Sequence, residues 1–236
     1  MIEVRGLHKR FGALQVLAGV DLTIRPGRIT AVVGPNSAGK TTLIKTILGL
    51  TRSDAGVIRL DGREIDPAGR YREDVGYMPQ IARFPDNLTA ADLFRMMRDL
   101  RHGTRRDEEL LDTLRLREHL DKPLRVLSGG TRQKVNAALA FLFAPSLIIL
   151  DEPTAGLDPL SAGVVKDKVM AEREKGRTFI LTTHVTSDLE ELADDIAFLV
   201  DGRIRFSGAV TMLKRMTRQL SLERAIARVM EGDLAA

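Results

Sequence analysis

Residues Ile29–Lys45 read ITAVVGPNSAGKTTLIK, five strand-forming residues running into a glycine-rich turn and then a helix. Gly34 to Thr41 fits the pattern G-x-x-x-x-G-K-[ST] of a phosphate-binding loop. A glycine-rich turn after a buried strand lets successive backbone N–H groups point inward around phosphate oxygens. The helix that begins near Lys40 adds the positive end of its dipole. Lys40 supplies a full charge for the β- and γ-phosphates, and Thr41 offers a hydroxyl to Mg²⁺. The motif needs a strand–loop–helix context, and Ile29–Val33 followed by Leu43, Ile44, Ile47 and Leu48 provides it.

Such a loop calls for an acidic residue at the end of a second buried strand. Leu147–Leu150, wholly apolar as a strand covered on both faces would be, ends in Asp151-Glu152. Asp151 suits the metal, and Glu152 can polarise an attacking water. Further strands are expected at Ile2–Val4, Val20–Ile24, Gly56–Leu60, Val75–Met78 and Phe179–Thr182. Ile196–Phe206 reads as a hairpin turned at Asp201-Gly202. Helices are expected over Thr89–Leu120, Ser128–Phe143, Val164–Lys175 and Met212–Met230. Strands alternating with helices imply an α/β fold, and the helix-only block Thr89–Ala144 interrupts that alternation as a subdomain.

Composition narrows the function classes. The chain has 236 residues, 44% of them apolar, enough to fill a core. It has no cysteine, which excludes a disulfide scaffold and thiolate metal sites. The longest apolar stretch, Ala137–Leu150, is broken by Pro145 and Ser146 and falls short of the roughly 20 residues that cross a bilayer. The opening MIEVRGLHKRF lacks the apolar segment of a signal peptide. A soluble protein is expected, with any membrane part supplied by another chain. Net charge is +4, and arginines gather at Arg95, Arg98, Arg101, Arg105 and Arg106. That run reads as a solvated helix face, or as contact with an anionic membrane surface or nucleic acid. No aromatic residues interleave with it, which weakens the nucleic-acid reading.

Four more motifs follow the phosphate loop in order. They are Gln80 in YMPQ, Leu127–Gln133 as LSGGTRQ, Gly156–Pro159 as GLDP, and His184 in TTH. With the loop and the Asp151-Glu152 strand, these six make the chain similar to an ABC-type ATPase over about residues 1–215. The resemblance implies a P-loop NTPase (RecA-like) core with a mixed sheet, an antiparallel β subdomain and an inserted α-helical subdomain at about 84–146. The cassette would span 1–218, with a C-terminal helical extension at 219–236. ATP would be held by Gly34, Pro35, Asn36, Ser37, Ala38, Gly39, Lys40, Thr41 and Thr42, with Phe11 against adenine where the family usually has Tyr. Ser128, Gly129, Gly130 and Asp158 would contact nucleotide across a pair of copies, with Thr131 in place of the usual Gln. Glu152, His184, Lys40 and Gln80 would be catalytic, and Thr41, Gln80 and Asp151 would hold Mg²⁺. All four of Lys40, Asp151, Glu152 and His184 are intact, which speaks against a degenerate regulatory binder.

Two helix starts suited to anions, near Lys40 and Ser128, can share one γ-phosphate only if they converge. The resemblance implies a two-fold symmetric homodimer that closes on ATP, driving an integral membrane permease from the cytoplasmic face of the membrane. No nucleic acid is expected: ABC ATPases of ribosomes or DNA usually carry two cassettes or a long coiled-coil insertion, and this sequence shows one cassette and no sustained heptads. Met78–Thr89 and Leu127–Asn136 are similar to Nos-type ATPase subunits, which work with a permease and a periplasmic protein in copper-site maturation of nitrous oxide reductase. The chain itself offers no copper site, having only His8, His102, His119 and His184, well separated. The other reading is an exporter ATPase for a drug, lipid or other small molecule. Ser37 departs from the family's usual glycine. Either the loop holds Ser37 in an ordinary backbone region, which is the expectation, or its hydroxyl adds a contact to the γ-phosphate or the partner copy.

Overall fold

A computed structural model describes residues 1–66, 68–101 and 106–230. His102 and Arg105, singled out above, lie outside the described residues, as do the last six residues of the C-terminal extension. In chain order the elements are β1 (Ile2–Phe11), β2 (Leu14–Ile24), β3 (Ile29–Val33), α1 (Lys40–Ile47), β4 (Ala55–Leu60), β5 (Arg63–Glu64) and β6 (Val75–Met78). Then come α2 (Ala90–Leu100), α3 (Glu109–Thr113), α4 (Gly129–Phe141), β7 (Leu147–Asp151), α5 (Pro159–Glu174) and β8 (Thr178–Thr182). The chain finishes with α6 (Thr186–Leu192), β9 (Asp195–Val200), β10 (Arg203–Ala209), α7 (Val210–Met216) and α8 (Leu222–Met230).

The chain divides into two compact units, Met1–Tyr71 with Thr178–Ala236, and Arg72–Arg177. In the first unit β1 pairs antiparallel with β2 and β4, and β5 follows β4 at the edge. Both β1 and β2 run longer than the apolar alternation predicts, because register shifts after Val4, Leu7 and Lys9 break the period of two without ending the pairing. Beside this sheet, β3 is flanked by parallel partners β8 and β9, and β10 turns back antiparallel on β9. Asp201 and Gly202 both have positive φ (48° and 69°), as the predicted two-residue hairpin turn requires. All five residues of β3 and of β8 are buried. The C-terminal helix docks on its own unit: Leu222, Ala225 and Val229 join Ala31, Val33, Ile196, Phe198 and Phe206 in one core cluster.

In the second unit β6 and β7 pair in parallel. The helical block is more broken than its pattern suggests, with α2 and α3 separate and single 3₁₀ turns at Arg117–His119 and Leu124–Val126. Thr89 and Asp92 form a reciprocal capping box at the start of α2. α5 starts at Pro159, five residues before the apolar pattern, because Asp158 caps it and proline fits the first helical position. α6 was not foreseen; it is barely two turns long. Arg101 does not belong to a solvated face. Its guanidinium donates to the carbonyls of Glu73 (2.9 Å), Val75 (2.8 Å) and Arg72 (3.3 Å) and lies 4.8 Å from the Phe143 ring centroid. Burial lowers its pKa, the charges of Asp74 and Glu73 opposing. Arg95 pairs with Asp92 at 3.0 Å and is exposed, as is Arg106. Deeper in the unit, Lys168 is buried among Asp107 (2.5 Å), Glu109 (2.7 Å) and Glu172 (3.1 Å).

Candidate functional site: a nucleotide cassette

In the first unit the phosphate loop joins β3 to α1. Gly34 is irreplaceable on steric grounds, since a Cβ there would lie 2.0 Å from the Leu199 carbonyl oxygen. Gly39 caps α1 with φ 104°, and a Cβ would lie 2.9 Å from the Val16 oxygen. No side chain caps α1 and no acid stands in its first turn, so nothing within the helix start offsets the positive end of its dipole. Lys40 Nζ donates to the carbonyls of Gly34 (2.6 Å) and Pro35 (3.0 Å), spanning the loop from within. Pro35, Asn36, Ser37 and Thr41 are exposed, Thr42 is half-buried and Ala38 is buried.

Ser37 has φ 69°, in the left-handed region. This overturns the expectation of an ordinary backbone region. The loop turns as it would with glycine, and serine carries a β-carbon against that turn.

Phe11 ends β1 and is 52% exposed, open enough to receive a base. Lys9, two residues earlier, holds its ammonium 5.1 Å from the Phe11 ring centroid while pairing with Asp54 at 3.2 Å. Lys9 was missed in the sequence, although the i, i+2 spacing was there to be read. His184 lies two residues past the end of β8 and is exposed, while Thr182 and Thr183 before it are buried.

In the second unit Asp151 ends the buried strand β7 and Glu152 follows it, at 4% and 7% exposure. Glu152 has φ 55°, left-handed and directly before Pro153, a position that favours extended backbone. Strain of this kind, about 1–3 kcal/mol, collects where geometry serves chemistry. Burial and the Asp151 charge push the Tyr77 phenol up to about 12, so the field of that carboxylate reaches across to β6. Gln80 is exposed just past β6 and lines a cleft of about 560 Å³ together with Gly129, Gln133 and Gly156.

Ser128 caps α4, accepting the Thr131 N–H at 3.1 Å, and its Oγ also lies 2.8 Å from the Thr131 hydroxyl. Gly130 sits close under the GLDP turn: a Cβ would be 3.1 Å from the Gly156 oxygen. Asp158 caps α5 through Ser161 N (2.9 Å) and Ser161 Oγ (2.7 Å) and pairs with Lys134 at 3.1 Å. The Ser161 bonds, then Lys134, hold its carboxyl well below the usual carboxylate range. That engagement of Asp158 with its own unit, and the place of Lys134, were not read from the sequence. The second unit thus gathers Gln80, Gly129 and Gly156 on one cleft, with Ser128 beside them and Asp158 at the next helix start.

The donors assigned to metal are the Thr41 hydroxyl, the Gln80 carboxamide and the Asp151 carboxylate. All are hard oxygens, which fits Mg²⁺ and suits no thiophilic ion. Among the described residues no three His, Asp or Glu side chains gather as a metal-binding group. No helix among them is long and apolar enough to cross a membrane.

Comparison with known proteins agrees with this fold. The family model described as ABC transporter matches residues 17–155. The Nod factor export ATP-binding protein I of Ralstonia nicotianae is 34% identical over 209 residues, 86% of this chain and 65% of that protein. The daunorubicin/doxorubicin resistance ATP-binding protein DrrA of Streptomyces peucetius is 34% identical over 219 residues, 90% of this chain and 66% of that protein. The chain therefore spans about two thirds of the length of these relatives. A solved structure of an ATP-binding subunit of an ABC transporter superposes with TM-score 0.90 at 29% identity, covering 98% of this chain and 99% of that one. The fold, though at 24% identity nothing finer, is shared with a dimeric ATP-binding cassette in a post-hydrolysis state with ADP and Pi, TM-score 0.79, covering 89% of this chain and 98% of that one. The chain belongs to the ABC transporter family, with the P-loop, mixed α/β fold of its ATP-binding subunits.

Proposed function

We propose that two copies of this chain close on ATP and hydrolyse it to drive a separate membrane permease that exports a small molecule. The observation that carries the reading is the start of α1: a helix end with no side-chain cap and no acid in its first turn, behind a loop whose Gly34 and Gly39 have no room for a β-carbon. Relatives named for export of Nod factor and for daunorubicin resistance support the outward direction in this reading.

In this reading Lys40 leaves the loop carbonyls for the β- and γ-phosphates, and the α1 amides take the remaining phosphate oxygens. The other copy presents Ser128, Gly129 and Gly130 to the γ-phosphate, with Asp158 fixing the turn beside them. Phe11 stacks on adenine, and the Lys9 charge beside the ring strengthens that platform. Glu152 orients water and takes its proton as the oxygen bonds to the γ-phosphorus and the bond to the ADP oxygen breaks. His184 holds water and γ-phosphate in line. Thr41, Asp151 and Gln80 hold Mg²⁺, which neutralises phosphate charge when bound. The subunit acts at the inner face of the cell membrane, on the cytoplasmic side, and needs no nucleic acid.

A second reading is kept because Met78–Thr89 and Leu127–Asn136 are similar to Nos-type subunits, which act with a periplasmic partner. Purifying the chain with its membrane companion and reconstituting both in vesicles separates the two. The export reading expects ATP-dependent movement of an amphiphilic small molecule. The Nos-type reading expects no such movement, and a nitrous oxide reductase lacking copper in cells without this chain. Salt-sensitive nucleic-acid binding by the pure protein would contradict both.

A further inference from the structure

We infer that Asn136 is a positioning residue that makes the Gln80 segment and the helix bearing Ser128 move as one piece. This rests on the roles proposed above for Gln80 and Ser128. Asn136 lies in α4 with only 2% of its surface exposed. Its Nδ2 donates to the Pro79 carbonyl at 2.8 Å and to Gln133 Oε1 at 3.4 Å, so both amide hydrogens are used. Pro79 immediately precedes Gln80, and after it the chain runs to Pro85 without helix or strand. The anchor at Pro79 therefore sets where the Gln80 segment begins.

The same face of α4 is fixed a second time. Gln133, Asn136 and Ala140 follow one another at i, i+3 and i+7 along it. A Cβ at Gly76 in β6 would fall 2.1 Å from the Ala140 carbonyl oxygen, so strand and helix backbones touch there. The helix is thus held to β6 by close packing and to the residue before Gln80 by a hydrogen bond. Its front end is Ser128, eight residues and about 12 Å away at 1.5 Å per residue. A stiff rod held this way carries a shift at Gln80 to the Ser128 cap. Gln133 Nε2, buried without a protein acceptor among the described residues, lines the same cleft as Gln80.

A purely structural role explains Asn136 less well. Its neighbours Val135, Ala137 and Ala138 are buried and apolar. Asparagine is a poorer helix former than alanine or leucine, and its burial demands partners. An apolar residue would fill the position for stability alone. What asparagine adds is the tie to Pro79.

The chain has no cysteine, so paired spin labels can be placed without background. Ile81→Cys and Val126→Cys sit at 68% and 62% exposed positions flanking Gln80 and Ser128. Their separation is read by pulsed electron spin resonance, with and without ATP and magnesium. With Asn136 present, one narrow separation is expected in both conditions. Asn136→Leu, and the smaller Asn136→Ala should leucine not fit, should broaden it in a protein that still melts cooperatively. In unlabelled protein Asn136→Leu should slow turnover at saturating ATP about tenfold, the scale of one buried hydrogen bond, with the KM for ATP nearly unchanged. Combined with Gln80→Ala it should be no slower than Gln80→Ala alone. Equally narrow separations in the Asn136 variants, or rate losses that multiply, would overturn the inference. If Gln80→Ala leaves turnover intact, the role of Gln80 falls instead, and the label separation still decides whether Asn136 ties the two segments.

Discussion

Ser37→Gly is the substitution whose effect follows most directly from the backbone. Ser37 sits at φ 69° on an exposed loop. An L-residue in that region pays roughly 1–2 kcal/mol against its own carbonyl, and glycine pays nothing. Glycine also loosens the unfolded chain, an opposing effect of roughly 0.5–1 kcal/mol. The difference leaves glycine ahead by about 0.5–1 kcal/mol. For a chain of this length that is a rise of about 1–4 °C in melting temperature. Ser37→Ala is the control, since it keeps the β-carbon and loses only the hydroxyl. Thermal melts of the three proteins without nucleotide should order glycine above serine and alanine, the latter two alike. A glycine variant that melts no higher than the alanine variant would refute the strain argument. ATP titrations of the same set settle the hydroxyl: equal affinity leaves it without a contact, whereas a matching loss in alanine and glycine assigns it one.

Other expectations concern charge. Lys40→Ala should abolish nucleotide binding, read by titration calorimetry, because no other cation lies in the loop sequence Gly34–Thr42. Glu152→Gln should retain ATP and slow turnover by about 10²–10⁴, the span of a lost general base, with phosphate release as the readout. Lys168→Met should destabilise the protein by about 3 kcal/mol, the lower end for breaking a buried ion pair, because Glu172 keeps Lys175 at 2.7 Å. Burial raises the Glu172 carboxyl, but hydrogen bonds from Lys175 and Lys168 outweigh it and hold it below its ordinary value. Its stabilisation is present above about pH 4.3 and is lost as pH falls through the lowered folded value, so the gap between parent and Lys168→Met should close on acidification. Denaturant unfolding at pH 7, and at successive pH values from about 4.3 downward, tests both.

The phosphate loop was legible because its chemistry is local: a buried strand, glycines at fixed offsets and a lysine at the helix start. Val75–Met78 and the Asp201-Gly202 hairpin were legible for the same reason, each strand bounded by its own turn. What stayed hidden depends on backbone conformation or on distant partners. Nothing in SAG fixes the sign of φ at Ser37. Arg101 reads as one more surface arginine until the Glu73 and Val75 carbonyls are seen to converge on it. The start of α5 lay in an Asp-Pro pair that apolar periodicity ignores. Asn136 closes the stretch Leu127–Asn136, yet its partner Pro79 is 57 residues away.

The central claim is that ATP joins two copies of this chain. Sedimentation of Glu152→Gln with saturating ATP and magnesium tests it most directly. The account predicts a particle of twice the 26.1 kDa chain mass, returning to single chains when ADP replaces ATP. Single chains throughout, with the membrane companion present as well as absent, would contradict it.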